Sequence, residues 1–162
     1  MGRVWTKDEI GDLTGKIAVV TGGNSGLGYQ TSLALAEKGA TVILAVRNIN
    51  KGHEAVDKIK KIAPEAQALA MQLNLNSLNS VKAFSQEFKS KYNRLSILIN
   101  NAGIMMPPYR LTDDGFESQF GINYLGHFAL TGLLLDRLIA TPNSRVISLG
   151  SIAAHKAKVQ FS

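Results

Sequence analysis

The chain has 162 residues, 45% of them hydrophobic, a size that supports one domain over residues 1–162 with a sizeable buried core. Its 18 Lys and Arg against 12 Asp and Glu give a net charge of +6, a surplus compatible with nucleic acid, an anionic membrane or a phosphorylated ligand. The basic residues are interleaved with acids from Lys51 to Lys61 and from Lys82 to Lys91, without a dense basic run or aromatic interleaving, which argues against nucleic acid. The absence of cysteine excludes a disulfide framework, a thiolate metal site and a cysteine nucleophile.

The first residues, Met1 to Glu9, lack the apolar core of a signal peptide, and no window approaches the roughly twenty apolar residues of a membrane helix. The expectation is a soluble, cytoplasmic protein with no membrane partner. Met1-Gly2 with Thr6 matches a myristoylation pattern too short to carry weight.

Ile17 to Val20 reads as a first strand that runs into Thr21-Gly22-Gly23-Asn24-Ser25-Gly26-Leu27-Gly28 and then into a helix from about Gly26 to Lys38, closed by Gly39. Val42 to Val46 is a second strand, followed by Arg47-Asn48 and a helix from Ile49 to Ile62 that Pro64 prevents from continuing. Ala68 to Leu73 forms a third strand, and the helix from Leu78 to Tyr92 can be capped by Ser77 or Asn79. Ile97 to Asn100 is the fourth strand, and the loop Met105-Met106-Pro107-Pro108 lies just beyond it. Asp113 and Asp114 then read as caps of a long helix from Asp114 to Ile139, and Arg145 to Leu149 as a fifth strand. Each strand is rich in apolar residues on both faces, as expected when helices cover both sides of a parallel sheet. The fold class is therefore α/β: a Rossmann doubly wound parallel sheet, five strands in the order 3-2-1-4-5, with C-terminal strands missing.

A strand, a glycine turn and a helix start in immediate succession aim backbone N–H groups and the positive helix end at one point, which attracts phosphate. Gly22 serves the tight turn, Gly26 lets backbone approach a pyrophosphate, and Gly28 allows helix-to-strand contact, with Asn24, Ser25 and Leu27 completing the turn. A P-loop would need Gly-Lys followed by Ser or Thr, whereas Gly28 is followed by Tyr29 and Gln30. NAD sites place an acid at the end of the second strand; here Arg47 stands there, a guanidinium suited to a 2′-phosphate, so NADP is the expected cofactor. A methyltransferase would also want an acid at that position, which Val46-Arg47 does not supply.

These residues resemble the short-chain dehydrogenase/reductases, in particular the subgroup similar to retinol dehydrogenases and protochlorophyllide reductase. The resemblance rests on Thr21-Gly22 with Gly26 and Gly28, on Asn100-Asn101-Ala102-Gly103, on Asn123-Tyr124-Leu125-Gly126-His127-Phe128, and on Arg145 to Ser151. It implies that Asn101 and Ala102 lie against the adenosine half of the cofactor and help hold the middle strands, that Gly103 also binds the cofactor, and that Asn74 and Leu75 take the adenine place where relatives carry an aspartate. It also implies that Asn123 and Ser151 are catalytic. In the family the serine hydroxyl bonds the substrate carbonyl, and the asparagine fixes a water in a proton relay.

The resemblance implies hydride transfer between nicotinamide and a small carbonyl or alcohol substrate, and a homo-oligomer when full length, with the outer face of the Asp114 to Ile139 helix as its interface. The family's general acid is a tyrosine with a lysine four positions later. Here Tyr29, Tyr92, Tyr109 and Tyr124 are followed at that spacing by Leu33, Ser96, Asp113 and Phe128. The reading is the N-terminal portion of a longer enzyme, inactive as given, its fifth strand a bare edge prone to pairing with another chain. The alternative is a non-catalytic nucleotide-binding sensor or partner protein. His53, His127 and His155 have no HExxH or cysteine partner, so no metal site is expected.

Overall fold

The computed structural model describes residues 5–152. Its β-branched and leucine-rich runs pair as one parallel sheet of five strands: β1 (Ile17–Thr21), β2 (Thr41–Val46), β3 (Ala68–Gln72), β4 (Ile97–Asn100) and β5 (Arg145–Ser148). The order is β3-β2-β1-β4-β5, as expected from the sequence. β1 lies at the centre, with Val19 opposite Ile43 of β2 and Leu98 of β4.

The two-residue side-chain period of a strand sorts the core into two layers. Val19, Ile43, Met71 and Leu98 pack with Val81, Phe84 and Phe88 of α3 (Leu78–Lys91) on one face. Ala18, Val20, Val42 and Leu44 pack on the other, against Leu35 of α1 (Gly26–Glu37) and Val56 and Ile59 of α2 (Ile49–Ile62). Local chemistry sets the helix ends. Gly39 adopts φ +89 after α1, Asn48 Oδ1 accepts the Lys51 N–H at 3.1 Å, and Ser77 Oγ accepts that of Ser80 at 3.4 Å.

The single helix expected from Asp114 to Ile139 is four pieces instead. A short turn α4 (Ser118–Phe120) passes into a π turn (Gly121–Leu125), then α5 (Gly126–Leu133) and, after a break at Leu134, α6 (Leu135–Ile139). Glu117 caps its start, accepting the N–H groups of Gln119 and Phe120 at 2.8 Å each, and those bonds hold its carboxyl below the usual range. Asp114, expected in that role, instead accepts the Leu78 N–H at 2.8 Å and caps α3 from across the chain. Asp113 Oδ1 accepts from Asn76 Nδ2 at 2.7 Å.

β5 is the bare edge expected from the sequence and is exposed at all four positions, whereas its apolar composition suggests cover on both faces. It pairs with β4 alone and joins neither core layer, so Val146 and Ile147 are exposed on its two faces despite their composition.

Candidate functional site

β1 ends at Thr21, and there the chain needs glycine for steric reasons. Gly22 has φ +66, and a Cβ on it would meet Ala102 at 3.2 Å. A Cβ on Gly28 would lie 2.4 Å from the Gly22 carbonyl oxygen and 2.5 Å from Asn101 Nδ2. Gly26, φ +53, has nothing within 4 Å of that position and faces open space. Helix α1 thus starts flush against β1, and Ser25 at its N-cap position makes no side-chain cap. Its first-turn N–H groups are left for another acceptor, the condition that makes a helix start an anion site.

These N–H groups border a cleft of about 580 Å³ at the carboxyl end of the sheet. The turn contributes Gly22, Asn24, Ser25, Leu27 and Gly28, and the segment after β4 contributes Asn101, Ala102 and Gly103. Arg47 arrives from the end of β2, and Asn74 and Leu75 from the end of β3. The structure therefore gathers every expected cofactor residue except Gly26 around one cleft. No carboxylate lines this cleft among the described residues.

Among the lining residues not singled out from the sequence, Lys51 and Thr21 bear most on the site. Asn48, the cap of α2, places Lys51 in that helix's first turn, beside the same cleft as Arg47. Lys51 stands four positions after Arg47, and that spacing across a strand-to-helix junction is the signal that could have found it. Thr21, quoted in the motif but given no role, is a hydrogen-bond hub. Its Oγ1 accepts the N–H groups of Asn101 and Ala102 at 2.9 Å each, while its carbonyl accepts from Asn101 Nδ2 at 2.8 Å. Asn101 thereby ties β1 to the segment after β4, as the resemblance implied.

A second cleft, about 660 Å³, adjoins the first and shares Asn101, Ala102, Gly103 and Leu149 with it. Asn123 and Ser151, the two expected catalytic residues, both line this one, together with Tyr124 and Phe128. Asn123 lies within the π turn, a feature that concentrates at functional sites. Its Oδ1 accepts the Ile104 N–H at 2.9 Å and its Nδ2 donates to the Ile104 carbonyl at 2.8 Å. Phe120, Tyr124 and Phe128 stack along the helix at 5.3 and 6.2 Å between ring centroids. Asn100 Oδ1 is buried here without a hydrogen-bond partner among the described residues.

Among the described residues no three His, Asp or Glu side chains converge as a metal site, and no helix is long and apolar enough to cross a membrane.

The short chain dehydrogenase family matches residues 16–162. Retinol dehydrogenase 12 of Mus musculus is 45% identical over 149 residues, covering 92% of this chain and 47% of its own length. Retinol dehydrogenase 13 of Homo sapiens is 44% identical over 149 residues, covering 92% and 45%. The chain spans about half the length of the curated relatives it matches. Among solved structures, an uncharacterized protein from Mycobacterium Paratuberculosis is 46% identical with a TM-score of 0.80, covering 92% of this chain and 51% of that one. The Pseudomonas aeruginosa RhlG/NADP active-site complex is 27% identical with a TM-score of 0.76, covering 93% and 58%.

Proposed function

The chain belongs to the short-chain dehydrogenase family of oxidoreductases, and from that premise we propose that its first cleft holds NADP(H) and that the whole enzyme moves hydride between nicotinamide and a carbonyl or alcohol. The observation that carries the choice of cofactor is the charge of the first cleft, where Arg47 and Lys51 stand at the β2 corner and no carboxylate lines the wall among the described residues. Two cations beside a helix start suit a ligand with a pyrophosphate and a further phosphate.

In this reading the turn from Gly22 to Gly28 receives the pyrophosphate on backbone N–H groups, with Gly26 leaving room for close approach. Arg47 and Lys51 take the 2′-phosphate, and Asn74 and Leu75 bound the adenine. Asn74 Oδ1 already accepts the Asn76 N–H at 3.1 Å, leaving one lone pair for an amino group. When bound, the nicotinamide supplies or takes up the hydride. Ser151 donates a hydrogen bond to the substrate oxygen, and Asn123, fixed through Ile104, orders the proton path beside it. Tyr124 and Phe128 give the substrate an apolar wall.

No tyrosine in the sequence is followed four positions later by lysine, so binding is the property to measure on this chain. NADPH and NADH are titrated into wild type and Arg47→Asp with nicotinamide fluorescence and melting temperature as readouts. The substitution is expected to lower the preference for NADPH by about 10- to 100-fold, the worth of one charge-assisted contact. An unchanged ratio dismisses the assignment.

A further inference from the structure

His127 is buried at 6% exposure on α5, one turn after Asn123. Its two ring nitrogens make separate contacts. Nδ1 lies 2.9 Å from the Asn123 carbonyl oxygen, and Nε2 lies 2.9 Å from Thr21 Oγ1, a residue 106 positions away. Proton accounting settles the direction of each bond. A carbonyl only accepts, so Nδ1 carries the hydrogen. The Thr21 hydroxyl has two lone pairs, and the Asn101 and Ala102 N–H groups take both. It can therefore only donate, and Nε2 at 2.9 Å is a nearer acceptor than the Ile99 carbonyl at 3.4 Å.

We propose that His127 is a positioning residue, which in its neutral Nδ1–H form fixes the Asn123 π turn against the Thr21 end of the cofactor wall. The bonds run in one sense, from the Asn101 and Ala102 amides to Thr21, from Thr21 to His127, and from His127 to Asn123. Through its side chain Asn123 then grips Ile104, so the network returns to the segment that follows β4. Residues 101 to 104 are thus held at one end by Thr21 and at the other by Asn123, with the imidazole joining the two holders. Such closed, fully paired networks constrain geometry more than their separate bonds. A bond from Nδ1 to a carbonyl one turn back is local and could serve helix packing alone. The contact to Thr21 is what gives His127 a role between the two clefts.

The inference rests on the reading of the first cleft as a cofactor site, and two amide variants separate its halves. In His127→Gln the side-chain amide reaches the place of Nε2 and can accept from Thr21, while in His127→Asn it reaches the place of Nδ1 and can donate only to Asn123. The 162-residue chain, labelled with ¹⁵N, is followed by amide and imidazole resonances and by NADPH titration. Wild type is expected to show His127 as the Nδ1–H tautomer. The Asn101 and Ala102 amides are expected to shift in His127→Asn and to hold in His127→Gln. NADPH affinity is expected to fall about tenfold in the first and less than about twofold in the second.

An Nε2–H tautomer in wild type, or two variants that move these amides alike, overturns the proposal, whatever happens to melting temperature. A wild-type chain that takes up no NADPH defeats the cofactor reading, while the tautomer and the amide shifts still decide the role of His127.

Discussion

β1 and β5 are short parallel strands of similar composition in one sheet, yet Ala18, Val19 and Val20 are wholly buried whereas Val146 and Ile147 are 44% and 41% exposed. β1 has a strand on each side and helices on both faces; β5 has β4 alone. Cover by the helices, and not side-chain type, decides burial: β3 is also an edge strand, yet Ala68 and Met71 lie within the two core layers, which no β5 residue joins. The same contrast separates the clefts, because the first opens from the central strands and the second is bounded by residues of the exposed edge.

The contrast is tested most sharply by one substitution made in both regions. Ile43→Ala removes a wholly buried side chain opposite Val19 and is expected to cost about 2–5 kcal/mol in urea unfolding. Ile147→Ala should cost less than about 1 kcal/mol, because its side chain keeps much of its solvent contact. Similar losses at the two positions would mean that β5 is as well covered in solution as β2, the neighbour of β1 at the sheet centre. Gly28→Ala comes next in size. The added carbon would sit 2.4 Å from the Gly22 carbonyl, a backbone atom that cannot swing aside, so about 1–3 kcal/mol of stability is expected to go. NADPH affinity should fall with it. Gly26→Ala, with open space around it, is the comparison: its cost comes from a positive φ alone, about 1 kcal/mol.

The central region was legible in the sequence because it obeys local rules. Ile97 to Asn100 and Ile49 to Ile62 begin and end where their apolar runs and punctuation place them, and the glycine turn was legible from its place between a strand and a helix start. Legibility failed where a distant partner decides. One extra residue in the π turn at Gly121 to Leu125 shifts the helical register without altering the apolar content that suggested a single helix. Asp114 looked like a cap for the run that follows it, but the loop brings its carboxylate to the start of α3, while Glu117 takes the nearer helix. The Thr21 to His127 contact joins residues of two motifs 106 positions apart, and no local spacing links them. Asp114→Ala is therefore expected to cost about 1 kcal/mol, the usual worth of a cap, and to raise amide exchange at the first turn of α3. Faster exchange at Ser118 to Phe120 instead would restore the sequence-based assignment.

The last expected effect depends on pH and lies where the two regions meet. Burial pushes the His127 pKa below its ordinary value of 6.5, partly offset by the bond to the Asn123 carbonyl. The unfolded chain then takes up a proton near pH 6.5 while the folded chain stays neutral, so the unfolded state binds more protons in that window and stability rises with pH across it. The contribution is complete above about pH 6.5 and is lost as pH falls toward the folded-state value, at no more than about 1.4 kcal/mol per pH unit. His127→Gln cannot titrate there. Urea unfolding at pH 7.5 and 5.5 should show wild type losing more stability than the variant over that interval. If both lose the same amount, the acid sensitivity arises elsewhere, and the imidazole between β1 and the Asn123 turn is not held neutral by its burial.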